Sequence, residues 1–419
     1  MGNSIANTRG GGGNRIARWL AVFGPGLVVM LADTDVGSLV TAGQSGAQWG
    51  YRLLLIQVLL MPILYITQEL TVRLGIHTGR GHGELICATF GRFWGWVSAA
   101  GLAVATAGAL LSEFSGVAAV GDLYGVSRYA SLPLAAVALI AVVLTGSYRR
   151  VERAAIVIGL FEFAFFGVAW YAQPSLGAMA SGAVSIPITD TGYLYLCAAN
   201  IGAVIMPWMV FYQQSAIADK GLRPEHLAAA RADTAVGAIV TQLVMAAVLV
   251  ACAAVLGGGA DKKVTLDTVG DMAAALTPLL GASGGKLVFS LGVLGAGMVA
   301  AIVASLALAW GIGEVAGYRR SLELPPRRAY WFYGVYAVCI AGGAAVIAVA
   351  PDLVSLNVGV QVMNALLLPL VLFFLVALAI RALPPGLRLE GGYKWVVITV
   401  LMLTTAFGVY GGLSGANLF

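Results

Sequence analysis

The chain has 419 residues, of which 60% are hydrophobic and 10% charged, with a mean hydropathy of +0.90. Soluble domains carry about 25% charged residues, so this composition excludes one and points to an all-α polytopic membrane protein. The net charge of +5 is no nucleic-acid signal, because the basic residues are confined to short loops between apolar runs.

Residues 1–18 are rich in Gly, Asn and Arg and are expected to form a disordered cytoplasmic N-terminus, with no cleavable signal pattern. Eleven membrane spans are then expected, roughly at 20–47, 52–73, 93–121, 130–147, 153–172, 192–216, 228–256, 286–316, 329–350, 353–381 and 393–414. Each approaches the roughly 20 residues that a hydrocarbon core requires. With the N-terminus inside, 19 of the 24 Lys and Arg residues fall on the inner side. The outer loops then hold only Arg52, Arg128, Lys262, Lys263 and Lys286. This asymmetry predicts a cytoplasmic N-terminus and an external C-terminus.

The first and sixth spans are both interrupted by Gly or Pro and polar residues. An odd set of five spans ends on the opposite side from its start, so a second set of five has inverted topology. The chain therefore divides into a first repeat at 19–172, an inverted repeat at 192–381 and an additional helix at 393–414. Interrupted spans at matching places in inverted halves are a sequence pointer to a transport site.

In the first span, Gly24-Pro25-Gly26 is followed by Asp33, Asp35, Gly37 and Ser38. A carboxylate at membrane depth costs several kcal/mol, about 3 on the mildest scales, and persists where it faces a cavity or an ion. Gly37 is expected to ease the local unwinding that presents these acids. In the sixth span Pro207 cannot donate a backbone hydrogen bond and crowds the carbonyl four residues back, freeing the Ala203 oxygen for a cation. Met206 adds a thioether beside the break. A Pro-kinked packing helix with Met as filler is the plain alternative for the sixth span on its own.

Elsewhere, Glu113 and Glu162 are intramembrane acids and hence functional candidates. Glu69 is expected to pair with Arg73, four residues on, and Glu314 with the basic end at Arg319-Arg320. Asp233 reads as a cap or a partner of Arg231. Gln57, Gln68, Asn357 and Asn364 read as interhelical glue. All three histidines, His77, His82 and His226, are placed in cytoplasmic loops, His77 and His82 in a solvated Gly-rich loop. This argues against an imidazole proton relay in the core. Cys87, Cys197, Cys252 and Cys339 are scattered, without zinc or disulfide spacing. No nucleophile–base pair lies at membrane depth, so an enzyme is not expected.

Several stretches together resemble the NRAMP family of divalent-metal transporters. They are Gly24-Pro25-Gly26, Gly46-Ala47-Gln48-Trp49-Gly50-Tyr51, Leu74-Gly75-Ile76-His77-Thr78-Gly79-Arg80 and Ala203-Val204-Ile205-Met206-Pro207. The resemblance implies the leucine-transporter type of fold and no cofactor, the metal ion being cargo. Where the family has Asp-Pro-Gly-Asn, this chain has Asp35-Val36-Gly37-Ser38, and Trp208 stands where the family has His after Met-Pro. By position, Asp35, Ser38, Ala203, Met206 and Gln361 inherit the metal site, with Asp33 as an added carboxylate. Glu113 matches the glutamate of the family's proton route. Gly37, Pro207 and Trp208 line or gate the cavity.

This pattern is similar to the branch of NRAMP-related magnesium transporters. It implies alternating-access uptake of Mg²⁺, also of Mn²⁺ but not Ca²⁺, across a prokaryotic inner membrane without obligatory proton coupling. Ser is shorter than Asn, which leaves room for a partly hydrated ion, as Mg²⁺ prefers. Met206 favours softer metals instead. A proton-coupled Mn²⁺/Fe²⁺ importer is therefore the alternative. A small-solute transporter of the same fold is disfavoured, since two aspartates repel a substrate carboxylate.

Overall fold

The computed structural model describes residues 24–257, 266, 269–280, 284, 286–349 and 356–415. The expected N-terminal segment 1–18 lies outside them. All regular structure among the described residues is helical. The helices are α1 (Pro25–Asp33), α2 (Val36–Trp49), α3 (Leu54–Thr78), α4 (His82–Phe90), α5 (Arg92–Leu123) and α6 (Arg128–Leu144). They continue with α7 (Tyr148–Gly159), α8 (Ala164–Tyr171), α9 (Leu176–Ala183), α10 (Thr191–Val204), α11 (Pro207–Lys220) and α12 (Leu227–Leu256). The last are α13 (Val269–Leu280), α14 (Lys286–Ala316), α15 (Tyr330–Val349), α16 (Asn357–Arg381) and α17 (Gly391–Gly415).

Nine helical stretches among the described residues are long and apolar enough to cross a membrane. Eleven spans are expected from the sequence, and the counts part at two places. The stretch Val36–Thr78 is one 43-residue helical run that joins the end of the first expected span to the second. The fourth, Arg128–Leu144, is a shorter apolar helix.

The interrupted spans form the middle of the bundle. The window of Thr191–Lys220 is 94% buried, against 33% for Gly391–Gly415. Helix α10 packs against α16 and α17, α12 against α2 and α3, and α14 against α5. Lipid-facing helices expose apolar side chains instead, among them Val338, Phe373 and Met402. Since lipid is as apolar as the core, close packing and interhelical polar contacts hold such a bundle together. Gln57 donates to Asn200 at 2.5 Å and Asn200 donates to Ser45 at 2.8 Å, tying α3, α10 and α2.

The N-terminus of α1 is held by α12. Asp233 accepts from the backbone N–H of Gly24 at 3.1 Å, Gly26 at 2.9 Å and Leu27 at 3.2 Å. These are the orphan donors of a first helical turn, and a carboxylate is the best acceptor for them. A Cβ on Gly26 would sit 2.7 Å from Asp233 Oδ2, so this close approach requires glycine. Asp233 is thus a cap, as expected, but of a helix more than 200 residues away. Arg231 pairs with Glu69 instead, which also binds Arg73 at 2.9 Å.

Candidate functional site

Helix α1 stops at Asp33 and α2 starts at Val36. Thr34 and Asp35 between them are non-helical, with Asp35 extended as the N-cap of α2. The unwinding therefore precedes Gly37, which lies inside α2. The expectation that Gly37 eases the break is corrected: Gly37 serves a close approach. A Cβ there would overlap the Gln361 amide nitrogen and lie 3.0 Å from Ser112 Oγ.

Helix α10 ends at Val204, Ile205 is non-helical and Met206 is extended. Pro207 opens α11 at a first-turn position, where its missing N–H costs nothing and its fixed φ suits a helix start. The two breaks meet. Ser38 Oγ donates to the Ala203 carbonyl at 3.0 Å. This is the carbonyl freed by Pro207, and the serine hydroxyl spends its proton there while its lone pairs stay available.

Asp35 is fully buried. Its Oδ1 accepts from Ser38 N at 2.6 Å and from Gln361 Nε2 at 3.2 Å. Its Oδ2 makes a longer contact to Gln361, at 3.5 Å, and the Glu113 side chain also reaches the Asp35 carboxyl. Gln361 is oriented from behind, because its Oε1 accepts from Asn364 Nδ2 at 2.9 Å. Gln361 therefore turns its nitrogen, not its oxygen, toward Asp35. Glu113 Oε2 accepts from Val36 N at 3.2 Å, and its side chain also interacts with the Asp35 carboxyl. Asp33 is buried at 1% exposure and neither of its oxygens is hydrogen-bonded.

Asp35, Ser38, Ala203 and Gln361 are thus brought together from three separated segments, with Gly37 and Glu113 beside them. Met206 and Trp208 are fully buried at the second break. Trp208 Nε1 has no hydrogen-bond partner. The available donors around Asp35 are carboxylate, hydroxyl and carbonyl oxygens, which suit hard cations. Among the described residues no group of three or more His, Cys, Asp and Glu side chains forms a metal cluster.

Two residues singled out in the sequence, Asn364 as interhelical glue and Glu162 as an intramembrane acid, take specific places at the site that the sequence alone does not assign. Asn364 lies three residues after Gln361 on α16, a spacing that puts both on one face and could have revealed the pair. Glu162 sits in a 3-10 turn at Leu160–Phe163, 1% exposed, with its carboxylate turned toward Thr34 at the first break. Its charge acts on Asp33 and Glu113, so four buried acids surround the first break.

The histidine expectation is also corrected. His82 opens α4 and is fully buried, not in a solvated loop. Its Nδ1 bonds Gln214 Oε1 at 2.9 Å and its ring packs edge-on against Phe211 at 4.9 Å. Burial pulls its pKa down to about 4 despite the opposing Gln214 bond, so the imidazole is neutral. Glu314 does lie near Arg320, at 3.9 Å, but its closer partners are Ser215 Oγ at 2.6 Å and Gly83 N at 2.8 Å.

Two broken helices that meet at mid-bundle, one offering side-chain oxygens at its break and the other a backbone carbonyl, define a membrane transporter of the leucine-transporter fold. Residues 26–414 match the family described as natural resistance-associated macrophage protein-like, Nramp, and the chain belongs to that family. It is 31% identical over 301 residues to the "Divalent metal cation transporter MntH" of Pectobacterium carotovorum, covering 69% of this chain and 71% of that protein. The relative of the same name in Yersinia pestis is 28% identical over 299 residues, covering 69% of this chain and 71% of that one. Among solved structures, a manganese transporter of Eremococcus coleocola superposes with a TM-score of 0.78 at 19% identity, covering 98% of this chain and 89% of that one. A Na⁺-coupled sialic acid symporter superposes with a TM-score of 0.64 at 13% identity, covering 97% and 91%. The family is one of transporters rather than enzymes, and it uses no cofactor.

Proposed function

We propose that this protein carries divalent cations, Mg²⁺ and also Mn²⁺, into a bacterial cell across the inner membrane by alternating access. The observation that carries this reading is the buried Asp35 carboxylate at a helix break, one serine side chain away from the Ala203 carbonyl at the other break. The names of the MntH relatives support the divalent class. The carboxylate, hydroxyl and carbonyl oxygens around Asp35 support Mg²⁺.

In this reading Asp35 Oδ2 receives the ion, and Ser38 Oγ and the Ala203 carbonyl offer further oxygens. Gln361 and Asn364 hold the carboxylate in place. Asp33 lowers the cost of the dication nearby, and waters complete the shell. The membrane potential drives entry, a dication gaining about 4.6 kcal/mol per 100 mV. The two repeats, 19–172 and 192–381, rock about the site, with helix 393–414 outside them. The basic loops lie inside, so the N-terminus is cytoplasmic and the C-terminus external.

A second reading is proton-coupled Mn²⁺/Fe²⁺ import. It is favoured by Glu113, a buried acid whose side chain is in contact with the Asp35 carboxyl. Proteoliposomes with an internal pH dye separate the two. Mg²⁺ entry at negative potential without acidification is expected. Mn²⁺ entry that acidifies the lumen, with no Mg²⁺ entry, would replace the first reading by the second.

A further inference from the structure

Between α14 and α15 the loop turns back on itself and leaves a surface cleft of about 370 Å³. It is lined by Tyr318, Arg319, Arg327, Arg328, Tyr330 and Trp331, with the buried Ala329 among them. The loop is held in shape rather than loose. Tyr333 Oη donates to the Leu324 carbonyl at 2.8 Å, Tyr318 Oη to the Ala309 carbonyl at 3.1 Å, and Arg328 N to the Pro325 carbonyl at 2.8 Å.

The charges in this loop are unequally used. Arg320 is taken by Glu84 at 2.5 Å and faces Glu314. Arg319, Arg327 and Arg328 are exposed and have no carboxylate within ion-pair distance among the described residues. Three guanidinium groups thus converge on one cleft without an anion to balance them. Guanidinium forks match phosphate oxygens in pairs.

The surroundings say where that phosphate comes from. Tyr330 and Trp331 at the cleft are 65% and 57% exposed, their ring centroids 5.5 Å apart. Such rings sit at the headgroup level of a bilayer. They begin α15, whose outer face exposes Val338, Val346 and Val349 as a lipid-facing surface. A phosphate in the cleft is therefore placed for acyl chains to run down α15. We infer that the Arg319–Arg327–Arg328 cleft is a binding site for the headgroup of an anionic phospholipid.

The test uses the full-length protein in nanodiscs of phosphatidylcholine doped with phosphatidylglycerol. Native mass spectrometry then counts the lipid retained after release. Each arginine near a lipid phosphate is worth about a factor of 5, so the triple variant R319Q/R327Q/R328Q should lose retention on the order of 100-fold. The triple Lys variant should keep part of it, because charge stays but the paired geometry goes. Equal elution on size exclusion shows that the variants fold. Equal retention of phosphatidylglycerol by the wild type and a folded Gln variant would overturn the inference. So would displacement of the lipid by millimolar inorganic phosphate, which would make the cleft a soluble-phosphate site.

Discussion

His82 and Asp35 carry opposite lessons about buried polar residues. Asp35 keeps its place through donors: Ser38 N and the Gln361 amide face its oxygens. His82 keeps its place by staying neutral, with one hydrogen bond to Gln214 and an aromatic wall at Phe211. Its pKa of about 4 lies below the ordinary value of 6.5, so the unfolded chain binds the proton first. The stability this gives is complete above about pH 6.5 and is lost as pH falls toward about 4. We expect the wild type to lose about 2 kcal/mol from roughly pH 7.5 to roughly pH 5 on this account alone. Thermal unfolding of purified wild type and His82→Gln across that range checks it. The wild-type curve should fall more steeply, and parallel curves would show that His82 does not titrate on unfolding.

At the scale of helices, the site is made by close approaches as much as by the breaks. Helix α16 reaches α2 at Gly37 and α10 at Gly202, where a Cβ would overlap the Gln361 carbonyl oxygen. One residue of α16 is therefore pressed between the two broken spans, and its side chain ends on Asp35. A methyl group at Gly37 meets the far end of a flexible side chain, which can move at small cost. The price is the hydrogen bond to a charged oxygen, a bond worth about 1.5–3 kcal/mol. Gly37→Ala is expected to fold normally and to weaken ion affinity by roughly tenfold or more. Uptake titrations with Mg²⁺ and Mn²⁺ measure this. Unchanged half-saturation would mean that Gln361 does not hold Asp35 during transport.

Over the whole molecule, much of the fold is legible in composition and in the lengths of the apolar runs, because a bilayer admits few backbone solutions. Asp33, Asp35 and Pro207 stand out in the sequence for the same reason: acids and prolines inside apolar runs are costly unless used. Contacts set by tertiary packing are not legible this way. Nothing local in the sequence tells that Asp233 reaches α1, that Gly37 yields to Gln361, or that His82 leaves its Gly-rich surroundings for the interior. Periodicity likewise does not show that Gln361 presents nitrogen to Asp35, since that follows from Asn364 behind it. Sidedness rests on the charge asymmetry of the loops and belongs with the proposed function.

Everything functional turns on where the cargo rests. Crystals of the full-length protein grown with Mn²⁺, which scatters anomalously, locate it directly. A single mid-bundle anomalous peak is expected between Asp35 and the Ala203 carbonyl, absent from Asp35→Ala crystals. A peak elsewhere, with Asp35 still bonded to its protein partners and to no ion, would contradict the proposed site.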